Sequence, residues 1–156
     1  PMGTRCGQID PGLLLYFLEH DKMSVEELKR LLYEQSGFLG LSGLTSDFRA
    51  LEASTAEASA EAIAYFIHRI RLEIGALTAA LSGLDALIFT GGIGEGSAPT
   101  RASVVAGLDW LGLQLDDDAN ARRAGKISSL TSRIPVYVIP TDEEVMIAAH
   151  VVNAMT

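Results

Sequence analysis

Residues 85–101, DALIFTGGIGEGSAPTR, run from an apolar stretch straight into a glycine cluster and then into a helix signal. DALIF shows no alternation of polar and apolar residues, which is the pattern of a strand buried on both faces. Such strands belong to parallel sheets layered with helices. Ligands gather where their carboxyl ends pass into the following turn. A second apolar run, IPVYVIP over 134–140, ends in Pro140. It passes into TDEEVMIAAHVVNAM, a closing helix with Thr141 or Asp142 as cap and Glu143 and Glu144 in its positive first turn. Helices, strand, helix, strand, helix is the order of an α/β fold. Two strands are too few for a buried sheet, so the chain is expected to be part of a larger fold.

Upstream of these strands the signals are helical. Asp10 and Pro11 open a helix over DPGLLLYFLEH. Ser24 and Glu27 form a capping-box pattern ahead of a second helix that Gly37 follows. The stretch SGFLGLSGLTSDFRALE is expected to be a structured loop, because Phe38, Leu39, Leu41 and Leu44 call for burial. From Ala58 to Leu81, apolar residues recur every three or four positions through Ile63, Phe66, Ile67, Ile70, Ile74, Leu77 and Leu81. A helix over about Pro99 to Leu108 follows the glycine cluster, and DDDANARRAGKISSLTSR reads as polar surface.

Composition narrows the function. With 48% hydrophobic residues the chain can bury a core. Its net charge of -8 argues against a nucleic-acid surface. No apolar run reaches the roughly 20 residues of a membrane span, and neither membrane binding nor a secretory leader is expected. Cys6 is the single cysteine, which excludes an internal disulfide and a cysteine-based zinc site and fits a cytoplasmic setting. The three histidines have no metal-ligand spacing and are expected to be structural or exposed. Met23 and Met146 read as gap-fillers, and Asp116 to Asp118 as a solvated run or a helix cap.

Four stretches carry the candidate chemistry. In Gly91-Gly92-Ile93-Gly94-Glu95-Gly96, Ser97 stands where a dinucleotide fingerprint needs its third glycine, and no Lys-Ser/Thr pair follows to make a phosphate loop. Four glycines in six residues still allow close approach by a ligand; the alternative is a tight strand-to-helix turn. In SDFR, an aromatic beside an arginine can sandwich a purine and an aspartate can accept from a ribose hydroxyl. On pattern alone the plainer reading is preferred, with Asp47 capping a helix and Phe48 in the core. Glu143 could meet a magnesium ion directly or through water, or merely favour the helix dipole. Arg5, among glycines, could grip a phosphoryl group with its planar fork, or be a solvated surface residue.

MGTRCGQIDPG, SGFLGLSGLTSDFR, FTGGIGEGSAPTR and VIPTDEEVMIA together resemble acetate kinases, the family that includes propionate kinase, in order and spacing from Met2 to about Ala149. The resemblance implies the acetate and sugar kinase, Hsp70 and actin superfamily. The fold implied is a helix-rich part of a ribonuclease H-like, actin-like ATPase domain whose first strands are missing. The chain, 1–156, would be a single, incomplete C-terminal domain, its odd opening PMGTRCGQIDP being a loop from the middle of the enzyme. The activity implied is reversible phosphoryl transfer from ATP to acetate, giving acetyl phosphate and ADP, with Mg²⁺ accompanying ATP or ADP.

By the same resemblance Arg5 is the catalytic arginine that steadies the transferring phosphoryl group. Asp47, Phe48 and Arg49 contact adenosine, Gly92, Ile93, Gly94, Glu95 and Gly96 close the nucleoside side, and Glu143 attends the metal. The sequence departs from the family where Gly96 replaces an asparagine and Asp142 replaces the asparagine before Glu143. The family's catalytic aspartate, its histidine, a second arginine and the acetate pocket have no counterpart here. The chain alone is therefore expected to be inactive, with the missing N-terminal half of the kinase as partner and an unprotected sheet edge. The resemblance also implies a homodimer. The alternatives are a non-catalytic nucleotide- or partner-binding remnant and a propionate kinase portion.

Overall fold

A computed structural model of the chain describes residues 1–155, apart from the side chain of Glu143. The chain forms two compact units, Pro1–Arg69 and Ile70–Thr156, and the boundary falls within the longest helix. The molecule is helix-rich with a small parallel sheet, the α/β class expected.

The first unit holds α1 (Pro11–Glu19), α2 (Val25–Glu34), α3 (Gly37–Ser42), α4 (Phe48–Ala53) and the start of α5 (Glu57–Ala80). The starts follow the sequence signals. The Asp10 carboxylate accepts from the Gly12 N–H at 2.7 Å, and Pro11 opens α1. The capping box of α2 is formed in both directions: the Glu27 N–H donates to the Ser24 hydroxyl, and the Ser24 N–H donates to the Glu27 carboxylate at 2.8 Å. The stretch expected as a structured loop is folded into α3 and α4. Phe38 is buried there, whereas Leu41 and Leu44 are exposed. Phe38, Phe48 and Phe66 form a three-ring cluster with centroids 5.1 to 5.3 Å apart, in the tilted and edge arrangements aromatic pairs favour. Leu51, Ala62 and Ile67 are buried in the same unit.

The second unit contains the end of α5, then β1 (Leu87–Phe89), α6 (Gly91–Gly96), α7 (Ala98–Ala106), α8 (Asp117–Ala121), β2 (Val136–Val138) and α9 (Glu143–Met155). β1 and β2 pair in parallel, with Leu87 opposite Val136 and Phe89 opposite Val138. Both strands therefore deliver their following turns to the same end of the sheet. On its other edge β1 has no strand partner among the described residues, and Ile88 is half exposed, so the strand is not covered on both faces as its unbroken apolar run implied.

Four sequence expectations need correction. The glycine cluster is not a loop but the helix α6. The segment after α7 is not simply polar surface. Residues 125–127 run antiparallel beside β2, with the Ile127 N–H donating to the Val136 carbonyl at 2.8 Å, and Ile127 is fully buried. Pairing with β2 turns Ile127 inward, whereas Leu130 stays exposed. The apolar stripe of α5 also loses cover towards its end, where Leu77 and Leu81 are exposed. Finally, Met146 fills no gap: with Val145, Ile147, Val151 and Val152 it lies exposed on α9.

Candidate functional site

Arg5 is placed by a backbone clamp. The N–H groups of Ser36, Phe38 and Leu39 donate to the carbonyls of Thr4, Met2 and Gly3 at 2.9, 2.8 and 3.0 Å. The Cys6 N–H donates to the Leu32 carbonyl at 3.1 Å. Residues 2–6 thus lie against the end of α2 and satisfy the orphan donors at the start of α3. Gly37 is required for this approach. It has a φ of +61°, and a Cβ there would run into the Met2 carbonyl and lie 2.8 Å from that of Arg5. Arg5 itself is exposed, its guanidinium carbon 4.9 Å from the centre of the Tyr33 ring. That is within cation–π range, so the ring steadies a charge that remains accessible.

In SDFR both of the plainer roles are present. Asp47 caps α4, its carboxylate accepting from the Arg49 N–H at 2.9 Å. The Phe48 ring is buried in the three-ring cluster. Arg49 is exposed at the first turn of α4. Phe48 anchors the helix that presents its two charged neighbours, and its ring has almost no surface to offer a ligand.

The second unit carries the glycine helix at the carboxyl end of β1. Gly91 has a φ of +71°, a left-handed turn that lets the chain leave the strand and start α6. The Glu95 side chain folds back so that its Oε1 accepts from the Gly91 N–H at 2.8 Å. The same oxygen accepts from the Thr141 N–H at 3.1 Å and lies 3.4 Å from the Thr141 hydroxyl. A carboxylate of the chain itself therefore sits at the α6 start, which disfavours a phosphate there. Gly92 and Gly96 are different from Gly91. Both are exposed, neither has positive φ, and a Cβ at either would meet nothing within 4 Å.

The residue the sequence reading missed is Arg101, on α7. It is fully buried. Its Nη1 donates to the carbonyls of Gly94 and Glu95 at 2.8 and 2.9 Å. Its Nε donates to Asn120 Oδ1 and its Nη2 to the Asn120 carbonyl, both at 2.7 Å. Asn120 is held in turn by donating to the Ala98 carbonyl at 3.0 Å. Burial, and after it the positive charge of Arg123, lowers the Arg101 pKa from the ordinary arginine value. Arginine nevertheless stays protonated in proteins. No carboxylate pairs with it among the described residues, so carbonyl dipoles carry the whole compensation. Glycine is a poor helix former, and these bonds to the last turn of α6 explain how GGIGEG holds a helix at all. A signal was available: Arg101 lies in register with the buried Val104, Val105 and Leu108.

β2 delivers the turn that opens α9. The Asp142 carboxylate accepts from the Val145 N–H at 3.0 Å and caps the helix. The side chain of Glu143, the candidate metal residue, lies outside the described residues; its backbone starts α9. Among the described residues no cluster of three metal-ligating side chains occurs. Asp116 caps α8 by accepting from the Ala119 N–H at 2.8 Å. His20, His68 and His150 are exposed. No helix among the described residues is long and apolar enough to cross a membrane.

Parallel strands whose carboxyl ends lead into a glycine helix and an acid-opened helix define the end of an α/β fold at which ligands gather. The chain belongs to the acetokinase family, whose model matches residues 1–149. It is 54% identical over 150 residues to the acetate kinase of Methylocella silvestris, covering 96% of this chain and 37% of that protein. It is 52% identical over 152 residues to the acetate kinase of Rhodopseudomonas palustris, with 96% and 38% covered. The crystal structure of Porphyromonas gingivalis acetate kinase superposes with a TM-score of 0.88 at 36% identity, over 99% of this chain and 40% of that one. A propionate kinase from Francisella tularensis gives 0.87 at 37% identity, over 94% and 38%. The chain thus spans less than two fifths of the length of these two curated relatives.

Proposed function

We propose that this chain supplies the adenosine side of an acetate kinase, which transfers the γ-phosphoryl group of ATP reversibly to acetate, giving acetyl phosphate and ADP. Gly92 carries the reading. Neither backbone conformation nor packing demands glycine at this position, and it costs helix stability of up to about 1 kcal/mol relative to alanine. A ligand lying against the backbone would account for it. The carboxylate at the α6 start selects a neutral moiety, adenosine, over phosphate.

In this reading Gly92, Ile93, Gly94, Glu95 and Gly96 support the nucleoside through the backbone of α6. The family resemblance gives Asp47, Phe48 and Arg49 a part in adenosine binding, and Phe48 anchors the helix that bears its two charged neighbours. The carboxylate of acetate is already a nucleophile, so catalysis consists of positioning and charge neutralisation in a loose transition state. Arg5, accessible and oriented by Tyr33, stabilises the transferring phosphoryl group. Magnesium suits an assignment in which one protein carboxylate, Glu143, acts with substrate phosphates and water. Asp142 is occupied as a cap and contributes only its charge. The bound ion would neutralise phosphate charge. The chain acts in the cytoplasm, as part of one C-terminal domain, with the rest of the kinase as partner and in a homodimer. The likeness to a propionate kinase makes propionate the competing acceptor.

The test traps acetyl phosphate as its hydroxamate. The 156-residue chain is assayed with ATP, Mg²⁺ and acetate, alone and with the segment of the Methylocella silvestris enzyme that it does not match. Product only in the mixture is expected, and propionate in place of acetate ranks the acceptors. Product from the chain alone would overturn the division of labour. No product and no ATP binding by the folded chain would remove the reading.

A further inference from the structure

Glu95 holds two separate pieces of the chain with one oxygen. Its Oε1 accepts from the Gly91 N–H at 2.8 Å and from the Thr141 N–H at 3.1 Å, with the Thr141 hydroxyl at 3.4 Å. Gly91 starts the glycine helix after β1. Thr141 lies in the turn between β2 and α9, two residues before Glu143. The two strands are paired in parallel, which brings both turns to one end of the sheet. Hydrogen bonds to a carboxylate are roughly twice as strong as neutral ones, and here a single group serves both donors.

We infer that Glu95 is a positioning residue, a carboxylate tie that makes the start of the glycine helix and the turn opening α9 move as one body. Its half-buried side chain is committed to bonds within the protein. The other end of α6 is fixed by Arg101 through the carbonyls of Gly94 and Glu95. The glycine helix is therefore tethered at both ends to parts of its own unit. A shift of α6 on one side of a ligand would be passed through one oxygen to the segment bearing Glu143. This consequence rests on the nucleotide reading; the tie itself does not.

The test is amide hydrogen exchange, resolved by NMR, on the full 156-residue chain without nucleotide. The Ile127 amide, bonded to Val136 at 2.8 Å, is the internal control. Glu95→Ala is expected to speed exchange at both Gly91 and Thr141 by about tenfold or more, the loss of a charge-assisted bond. Glu95→Gln, which keeps an acceptor oxygen, should hold both within about threefold of the parent. Thr141→Pro removes both Thr141 donors, the N–H and the hydroxyl, in an exposed turn and should speed exchange at Gly91, fifty positions away in the chain. Acceleration at Gly91 alone in Glu95→Ala, or a glutamine variant as fast as alanine, overturns the inference. If Glu95→Ala also speeds Ile127 and so loosens the whole unit, Thr141→Pro decides: Gly91 faster with Ile127 unchanged supports the tie, and Gly91 unchanged overturns it. A separate ATP titration of the parent chain that shifts no amide of α6 removes the nucleotide reading and leaves the tie standing.

Discussion

Arg101→Met removes a buried charge while keeping most of the volume of the side chain. Four acceptors lose a bond: the carbonyls of Gly94, Glu95 and Asn120, and the Asn120 side-chain oxygen, of which the Asn120 carbonyl keeps the Arg123 N–H at 3.2 Å. Hydrogen bonds to charged groups contribute about 1.5–3 kcal/mol each, and an acceptor stranded in the interior costs about 1–3 kcal/mol. Against this, the substitution relieves the desolvation of a cation that no carboxylate offsets among the described residues, a cost of several kcal/mol. The balance is a net loss of about 3–5 kcal/mol, the top of the range for single substitutions. With a urea slope of about 2 kcal/mol per molar, the midpoint should fall by about 2 M. Trp110, the only tryptophan, is exposed beside the end of α7 and reports on the second unit by fluorescence. Arg101→Lys keeps the charge but not the planar fork and should fall between methionine and the parent. A methionine variant as stable as the parent would mean that the buried charge costs as much as its bonds return, and would refute the account of how α6 is held.

Other perturbations separate positions held by packing from positions open to a ligand. Gly92→Ala meets no atom within 4 Å and should leave stability unchanged or raised, yet weaken ATP binding by about tenfold through overpacking against the ligand; calorimetry showing unchanged affinity would discount Gly92 as a contact. Gly37→Ala combines a positive φ with a collision at the Met2 and Arg5 carbonyls. It should cost about 2 kcal/mol or more in thermal unfolding and lower kcat in the complemented assay. Asp47→Ala should cost about 1 kcal/mol by uncapping α4, read in urea melts. The Glu27 carboxyl is held below the usual range by the Ser24 backbone N–H and then by the Ser24 hydroxyl. Its contribution to folding is complete above the unfolded-state pKa and is lost as pH falls through the lower folded one; Glu27→Gln should remove that part of the acid dependence of α2 helicity in circular dichroism.

Local rules sufficed for the helix starts at Asp10 and Ser24, for both strands and for the α/β class. These depend on neighbours within a few positions: a side chain reaching a nearby N–H, or an apolar run between turns. The four family stretches were legible for the same reason, being contiguous. Gly91–Gly96 shows where such reasoning stops. Six residues rich in glycine favour a loop, and α6 exists because Arg101 bonds its last carbonyls and Glu95 bonds its first N–H. Phe48 shows a second limit. Its pattern favoured the core and the family resemblance a ligand, and only its packing with Phe38 and Phe66 placed the ring inside. The sequence by itself determined where the capped helices start, where the two strands run and which residues carry chemistry able to meet a ligand. Only the tertiary structure decided which of those side chains are committed inside, because a buried charge needs acceptors from distant parts of the chain, and sequence spacing does not report distance in space.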